Sequence, residues 1–141
     1  MPASDDCPFC AIVSGDAPAS VVHETEDTLA FLDLNPATEG HTLVIPKTHG
    51  AGLADVTTAG LQTVTRVGRQ VAAALRASDE IRTDGVNLFL ADGEAAGQEV
   101  FHLHLHVIPR YAGDGVTVEA GQERAEREAL ESVAADIRGR L

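Results

Sequence analysis

At 141 residues, 44% of them hydrophobic and 23% charged, the chain is sized for one domain that buries roughly 65–70% of its unfolded surface. Twenty-two acidic against ten basic residues give a net charge of −12 and a pI near 4.7, which argues against a nucleic-acid scaffold, since that needs a basic face. The same field opposes anions, so any phosphate site must be made locally positive by imidazoles and backbone N–H groups. Met1–Asp6 carries two acids and no base, unlike a secretory leader, and no apolar run approaches the roughly 18 residues of a membrane span. The sequence therefore reads as cytoplasmic, with no membrane partner.

Cys7-Pro8-Phe9-Cys10 is the first motif. Pro8 suits the start of a short helix over Cys7–Val13, which Gly15-Asp16-Ala17-Pro18 ends. Two cysteines at this spacing in a cytoplasmic chain point to metal or redox use rather than a structural disulfide. Nothing strand-like precedes Cys7, as a redox motif requires. Two thiolates fill half a tetrahedral site, so further ligands have to come from far along the chain. Val21–Glu24 and Thr28–Leu32 flank Thr25-Glu26-Asp27 and predict a hairpin, with His23 exposed. Asp33 ends the second strand and suits a turn before Asn35-Pro36. His41–Ile45 predicts a third strand in which His41, Leu43 and Ile45 share one face, so His41 begins a buried row. Pro46-Lys47 then turns the chain, leaving Lys47 in solvent.

Asp55–Ser78 predicts a helix, with Leu61, Val64, Val67, Val71 and Leu75 repeating at three and four and Thr57 or Thr58 as cap. Gly60 and Gly68 weaken it unless they permit close packing. Gly85–Leu90 predicts a fourth strand, and Asp92–Gln98 a loop of small residues able to aim N–H groups at a phosphate. Phe101–Pro109 follows, carrying three of the six histidines at strict alternation. It predicts a fifth strand with a buried apolar face (Phe101, Leu103, Leu105, Val107) and an imidazole face, ended by Pro109. Neighbouring imidazoles on a strand stand roughly 6.8 Å apart and the outer two roughly 13.6 Å apart. A pair can chelate a metal, but a row suits an anion better: the middle ring attacks while a neighbour donates hydrogen bonds around the reacting centre. Tyr111–Ala120 reads as irregular. Gln122–Arg138 carries an apolar stripe of Ala125, Leu130, Val133, Ala134 and Ile137 and predicts a terminal helix stopping at Gly139.

The run Gly97-Gln98-Glu99-Val100-Phe101-His102-Leu103-His104-Leu105-His106 resembles the motif of the histidine triad (HIT) family of nucleotide hydrolases and transferases. Phe31–Pro36 and Gly40–His49 are similar to that family's other two landmarks, and Cys7–Cys10 to the start of its zinc-carrying, mostly bacterial members. The likeness runs from Cys7 to Arg110. It implies an α+β fold: an antiparallel sheet of about five strands with a central helix and a C-terminal helix. It also implies a two-fold dimer built partly on the central helix. The chain is then a single HIT-like domain over 1–141, with a core at 7–110 and a helical extension at 111–141. That extension is either a plain solvated helix or one reaching the partner's substrate pocket. The resemblance supplies His49 and His102 as the ligands missing beside Cys7 and Cys10, making a structural zinc site; unmetallated thiols are the alternative. It makes Asp33 the acceptor of ribose hydroxyls and puts His41 beside the triad.

Carried over, the mechanism is two-step nucleotidyl transfer with His104 as nucleophile, its other ring nitrogen held by a backbone carbonyl that fixes the tautomer. His102 and His41 count with it as catalytic, His41 contributing to the triad's hydrogen-bond set; His106 bonds the phosphate oxygens, and Gln98 and Glu99 lie around the substrate. No catalytic cofactor is required. Histidine rather than glutamine at His106 points to hydrolysis. A purine nucleoside phosphoramidate is the first choice of substrate and a dinucleoside polyphosphate the second, weakened by Ala91. Two departures stand near the leaving group: Ala91 where the family has Asn or Gln, and Glu99 where hydrolases have Ser or Thr. They bear on substrate and rate, not on the nucleophile. Two other readings stay open. One is a zinc-stabilised nucleotide-binding or regulatory dimer with little turnover; the other is a metal-dependent hydrolase with His102 and His104 on the metal.

Overall fold

The computed structural model describes residues 6–141. Helix α1 (Pro8–Ser14) is capped by Cys7, whose Sγ accepts the Cys10 N–H at 3.4 Å; Pro8 fills its first turn, and Gly15 ends it at a φ of 85°, where glycine carries no steric cost. The two apolar runs form β1 (Val21–Glu24) and β2 (Thr28–Leu32), an antiparallel hairpin with a bulge between Val21 and His23. β3 (Thr42–Pro46) begins one residue after His41. A 3₁₀ turn (Leu53–Asp55) precedes α2 (Thr58–Ala77), where Thr57 Oγ1 accepts the Gly60 N–H at 3.0 Å. β4 (Gly85–Leu90), β5 (Leu105–Arg110) and α3 (Arg127–Arg138) complete the order. Helix α3 is shorter than the Gln122 start predicted, because residues 120–126 take no helical turn.

All pairings are antiparallel, in the order β1-β2-β3-β5-β4. The result is the expected α+β arrangement, five strands with three helices. Strand alternation splits the apolar residues between two faces. Ala30, Val44, Leu105 and Val107 meet Val64, Val67, Val71 and Leu75 of α2 on one face. Leu29, Phe31, Leu43 and Ile45 meet Phe9 and the two cysteines on the other. Each fully buried Val or Leu contributes roughly 1.5–3 kcal/mol. Gly68 is what lets α2 lie close: a Cβ there would stand 2.7 Å from Leu105 Cδ2. Among the described residues, no helix is long and apolar enough to cross a membrane.

The histidine-rich stretch departs from the expected regular strand. Only Leu105–Arg110 is paired, and residues 101–104 run into it through a bend at Phe101–His102. Phe101 is consequently 49% exposed rather than buried, while His102 and His104 are buried on the side expected to face outward. Pro109 does not end the strand; it pairs with Val86. It is tolerated because β3 pairs only as far as Val107, so β5 has one neighbour at Pro109 and needs no second donor.

Candidate functional site

The bend sends the three histidines to different partners. His102 turns towards α1: its Nδ1 lies 3.4 Å from Cys7 Sγ, 3.6 Å from Cys10 Sγ and 3.3 Å from His49 Nδ1, and His49 Nδ1 lies 3.3 Å from Cys10 Sγ. His102 Nε2–H donates to the Pro46 carbonyl at 2.7 Å, so its Nδ1 presents a bare lone pair to this cluster. Four ligands on a tetrahedral zinc, at ~2.3 Å for sulfur and ~2.0–2.1 Å for nitrogen, stand about 3.3 Å apart N to N and about 3.6 Å apart N to S. The donors here have that spacing, all lying within 4.8 Å of one another, and burial pushes the Cys7 thiol up from its ordinary value, as expected of sulfurs set aside from water. The donor set fits a structural zinc ion.

His104 does not join the cluster. Its Nδ1–H donates to the His102 main-chain carbonyl at 2.8 Å, which leaves Nε2 unprotonated on the neutral ring. His102 and His104 do not converge on one metal site among the described residues: His102 aims its free nitrogen at the cysteines and His49, and His104 belongs to no such donor group. This counts against the metal-dependent alternative, which needs both rings on one ion.

His106 pairs in register with Leu43 of β3 and Phe89 of β4, and its ring lies 4.9 Å from that of His104 and 5.7 Å from that of Phe89. Its partner is His41, with Nε2 at 2.9 Å from His106 Nδ1. The direction of this bond follows from the loop before β3. Thr38 Oγ1 donates to the Pro109 carbonyl at 2.7 Å, fixing the loop, and the Ala37 N–H donates to His41 Nδ1 at 3.0 Å. His41 must then carry its proton on Nε2, donate it to His106 Nδ1, and leave His106 Nε2–H as a donor. Burial lowers the pKa of His41, and Asp33 beside it only partly offsets this. Burial together with His104 and His41 brings His106 down to about 4, so both rings are neutral at pH 7. Asp33, His41 and His106 are close enough to suggest a second metal, but a ring whose Nδ1 accepts an N–H has no lone pair on Nε2 to offer one.

Asp33 does two things. Its Oδ1 accepts the Asn35 N–H at 2.9 Å, as a turn residue does, and its Oδ2 lies 3.6 Å from His41 Nε2, at the edge of the imidazoles. Gln98 is buried, and its side chain is committed inside the fold: Oε1 accepts the Gly93 N–H at 2.8 Å, and Nε2 donates to the Ala51 and Val100 carbonyls at 2.6 and 3.1 Å. The N–H groups of Ala96, Gly97 and Gln98 likewise bond within the loop, so these three of the donors expected to face a phosphate are already engaged. Glu99 is exposed and faces a recess of about 350 Å³ shared with Asp6, Cys7, His49 and Phe101. Ala91 is buried. A larger recess of about 430 Å³, lined by Val22, Leu32, Val71, Leu75 and Ile81, opens on the α2 side, away from the triad. Three features went unseen in the sequence: the Phe9 ring against His102 and His104, the Ala37 N–H, and the Pro46 carbonyl. Only Phe9 left a signal, an aromatic residue locked between two cysteines.

Comparison with known proteins agrees with this geometry. The family model described as HIT domain matches residues 14–113. A crystal structure of a HIT family member from Bacillus subtilis superposes with a TM-score of 0.88 at 37% identity, covering 97% of this chain and 98% of that one. A zinc-bound histidine triad protein from Mycobacterium smegmatis is 45% identical, with a TM-score of 0.76 over 93% and 97% of the two chains. The Saccharomyces cerevisiae protein named adenosine 5'-monophosphoramidase HNT1 is 38% identical over 104 residues, 74% of this chain and 62% of that protein. The chain belongs to the HIT domain family.

Proposed function

We propose that the protein hydrolyses nucleotides at the α-phosphorus, with a purine nucleoside phosphoramidate as preferred substrate and a dinucleoside polyphosphate as the second. The observation that carries this is the His104 Nδ1–H bond to the His102 carbonyl, which leaves Nε2 as a free nucleophile beside the His106 donor. In the first step His104 Nε2 forms a bond to phosphorus and the bond to the leaving group breaks. The leaving amine or phosphate takes the electron pair and a proton from solvent. In the second step water adds to phosphorus and returns one proton to solvent, the phosphorus–Nε2 bond breaks with its electron pair going back to Nε2, and a nucleoside monophosphate is released. His106 Nε2–H donates to the phosphate oxygens as charge develops, in a pocket where burial keeps the donor neutral and fixed. Asp33 receives the ribose hydroxyls, and Glu99 stands on the leaving-group side. The yeast relative, named as an adenosine 5'-monophosphoramidase, supports the substrate class.

Cys7, Cys10, His49 and His102 hold a zinc ion in this reading, and the Mycobacterium smegmatis relative, whose structure is zinc-bound, supports it. The ion ties α1 to the stretch before β5 and takes no part in the chemistry. A two-fold dimer accompanies it: Leu88 and Phe89 lie half exposed on edge strand β4, and Leu130, Val133 and Ile137 form an uncovered stripe on α3. Light scattering tests that assembly.

The decisive experiment is single-turnover incubation with an adenosine phosphoramidate, comparing wild type with His104→Ala and His104→Gly. Monophosphate release and a trapped adenylyl-protein in wild type, both lost in the variants, are expected. Nucleotide binding without product from either substrate class would replace the hydrolase with a zinc-stabilised binding dimer, a reading that the apolar Ala91 and acidic Glu99 favour.

A further inference from the structure

Phe9 stands between two of the histidines. Its ring centroid is 5.2 Å from His104 at an interplanar angle of 86°, and 5.8 Å from His102 at 71°. Phe31 of β2 backs it at 5.5 Å, and only 8% of the residue is exposed. The residue is held by what flanks it. Cys7 and Cys10 both reach the donor cluster through their sulfurs, and the Cys10 N–H donates to Cys7 Sγ, so the first turn of α1 cannot rotate without breaking the cluster. The hydrogen bond from His104 Nδ1 to the His102 carbonyl fixes one point of the nucleophilic ring and leaves it free to rock about that point. His106 closes one side of that motion, with ring centroids 4.9 Å apart; Phe9 closes another.

We propose that Phe9 is a positioning residue for His104, and that metal binding at Cys7, Cys10, His49 and His102 sets the angle of the nucleophilic ring through it. This rests on the nucleophile reading above. The four donors fit zinc, so filling their site seats α1, α1 seats Phe9, and Phe9 limits the swing of His104. The metal then matters to the rate of the first step without touching substrate.

The test uses the full-length zinc-loaded protein with Phe9→Leu, which removes the ring, and Phe9→Tyr, which keeps it. Zinc content, affinity for adenosine monophosphate, single-turnover adenylyl transfer and the His104 ring-nitrogen resonances, which report its hydrogen bond rather than the ring current of Phe9, are measured together at one fixed pH. Phe9→Leu is expected to hold zinc and bind the monophosphate as wild type does, to transfer about 10–100-fold more slowly, and to shift the His104 resonances. Phe9→Tyr is expected to stay close to wild type. A zinc-loaded Phe9→Leu with wild-type rate and unmoved His104 resonances overturns the proposal. Should Phe9→Leu fail to hold zinc, zinc-loaded Phe9→Met, which also removes the ring, takes its place, and a wild-type rate with unmoved resonances in it overturns the proposal. In the variant that holds zinc, chelation is expected to move the His104 resonances less than in wild type, since only the route through the His102 carbonyl remains; an equal shift overturns the link through Phe9. A wild type that adenylylates nothing sinks the nucleophile reading instead, and the resonances still decide the role of Phe9.

Discussion

His41 Nε2 lies 2.9 Å from His106 Nδ1, and the Ala37 N–H at 3.0 Å from His41 Nδ1 sets the direction of that bond. A backbone N–H only donates, so protons along the row point from the Ala37 loop towards the triad and end on His106 Nε2–H. His106→Ala removes this terminal donor and is expected to slow adenylyl transfer about 10²–10³-fold, the usual effect of deleting one donor to a developing oxyanion. His106→Gln retains an N–H and is expected to lose less in the transfer step. Equal losses in the two variants, read by single-turnover kinetics, would remove the donor role.

The depressed pKa of His106 has a definite sign for stability. The unfolded ring takes a proton near pH 6.5, the folded ring only near 4, so the unfolded state binds more protons between those values. The stabilisation is complete above pH 6.5, is lost as the pH falls from there towards 4, and changes no further below. Burial of His41 and His102 works in the same direction. Thermal melts from pH 7.5 to 4 check this, and His106→Gln is expected to flatten the dependence.

Metal removal is expected to act on stability before chemistry. Without an ion, the bare His102 Nδ1 and the two sulfurs lose the cation they converge on, and α1 loses its tie to His49 and His102. A loss of only ~2 kcal/mol lowers Tm by roughly 6–8 °C in a chain of this size. Cys10→Ser is expected to reproduce the chelator's effect, with differential scanning calorimetry as the measurement.

Gly68→Ala is a packing test. In an exposed helix this exchange is favourable by roughly 0.5–1 kcal/mol. Here the added Cβ meets Leu105 Cδ2 at 2.7 Å in a filled core, and overpacking costs roughly 1–3 kcal/mol. A net destabilisation of about 1 kcal/mol is expected by urea denaturation, with the rate of adenylyl transfer little changed.

Local pattern by itself was enough for much of this protein. Short apolar runs set off by turn residues gave the hairpin, β3 and β4; the three-and-four repeat with Thr57 gave α2; and the histidine and cysteine motifs marked the family and the residues worth following. These features depend on neighbours a few residues apart, which strand and helix periodicities report directly. The orientation of each imidazole was not in the pattern. Strict alternation puts all three on one face, but the bend at Phe101–His102 sends His102 to cysteines 92 and 95 residues away, ties His104 to a carbonyl, and leaves His106 to His41, 65 residues upstream. Those partners come together because β3 inserts between β2 and β5 and α1 packs across the same face. A ring nitrogen is a donor or an acceptor according to what faces it, and what faces it here comes from distant parts of the chain. The sequence therefore supplied the reacting groups, and the tertiary structure decided which nitrogen of each could react.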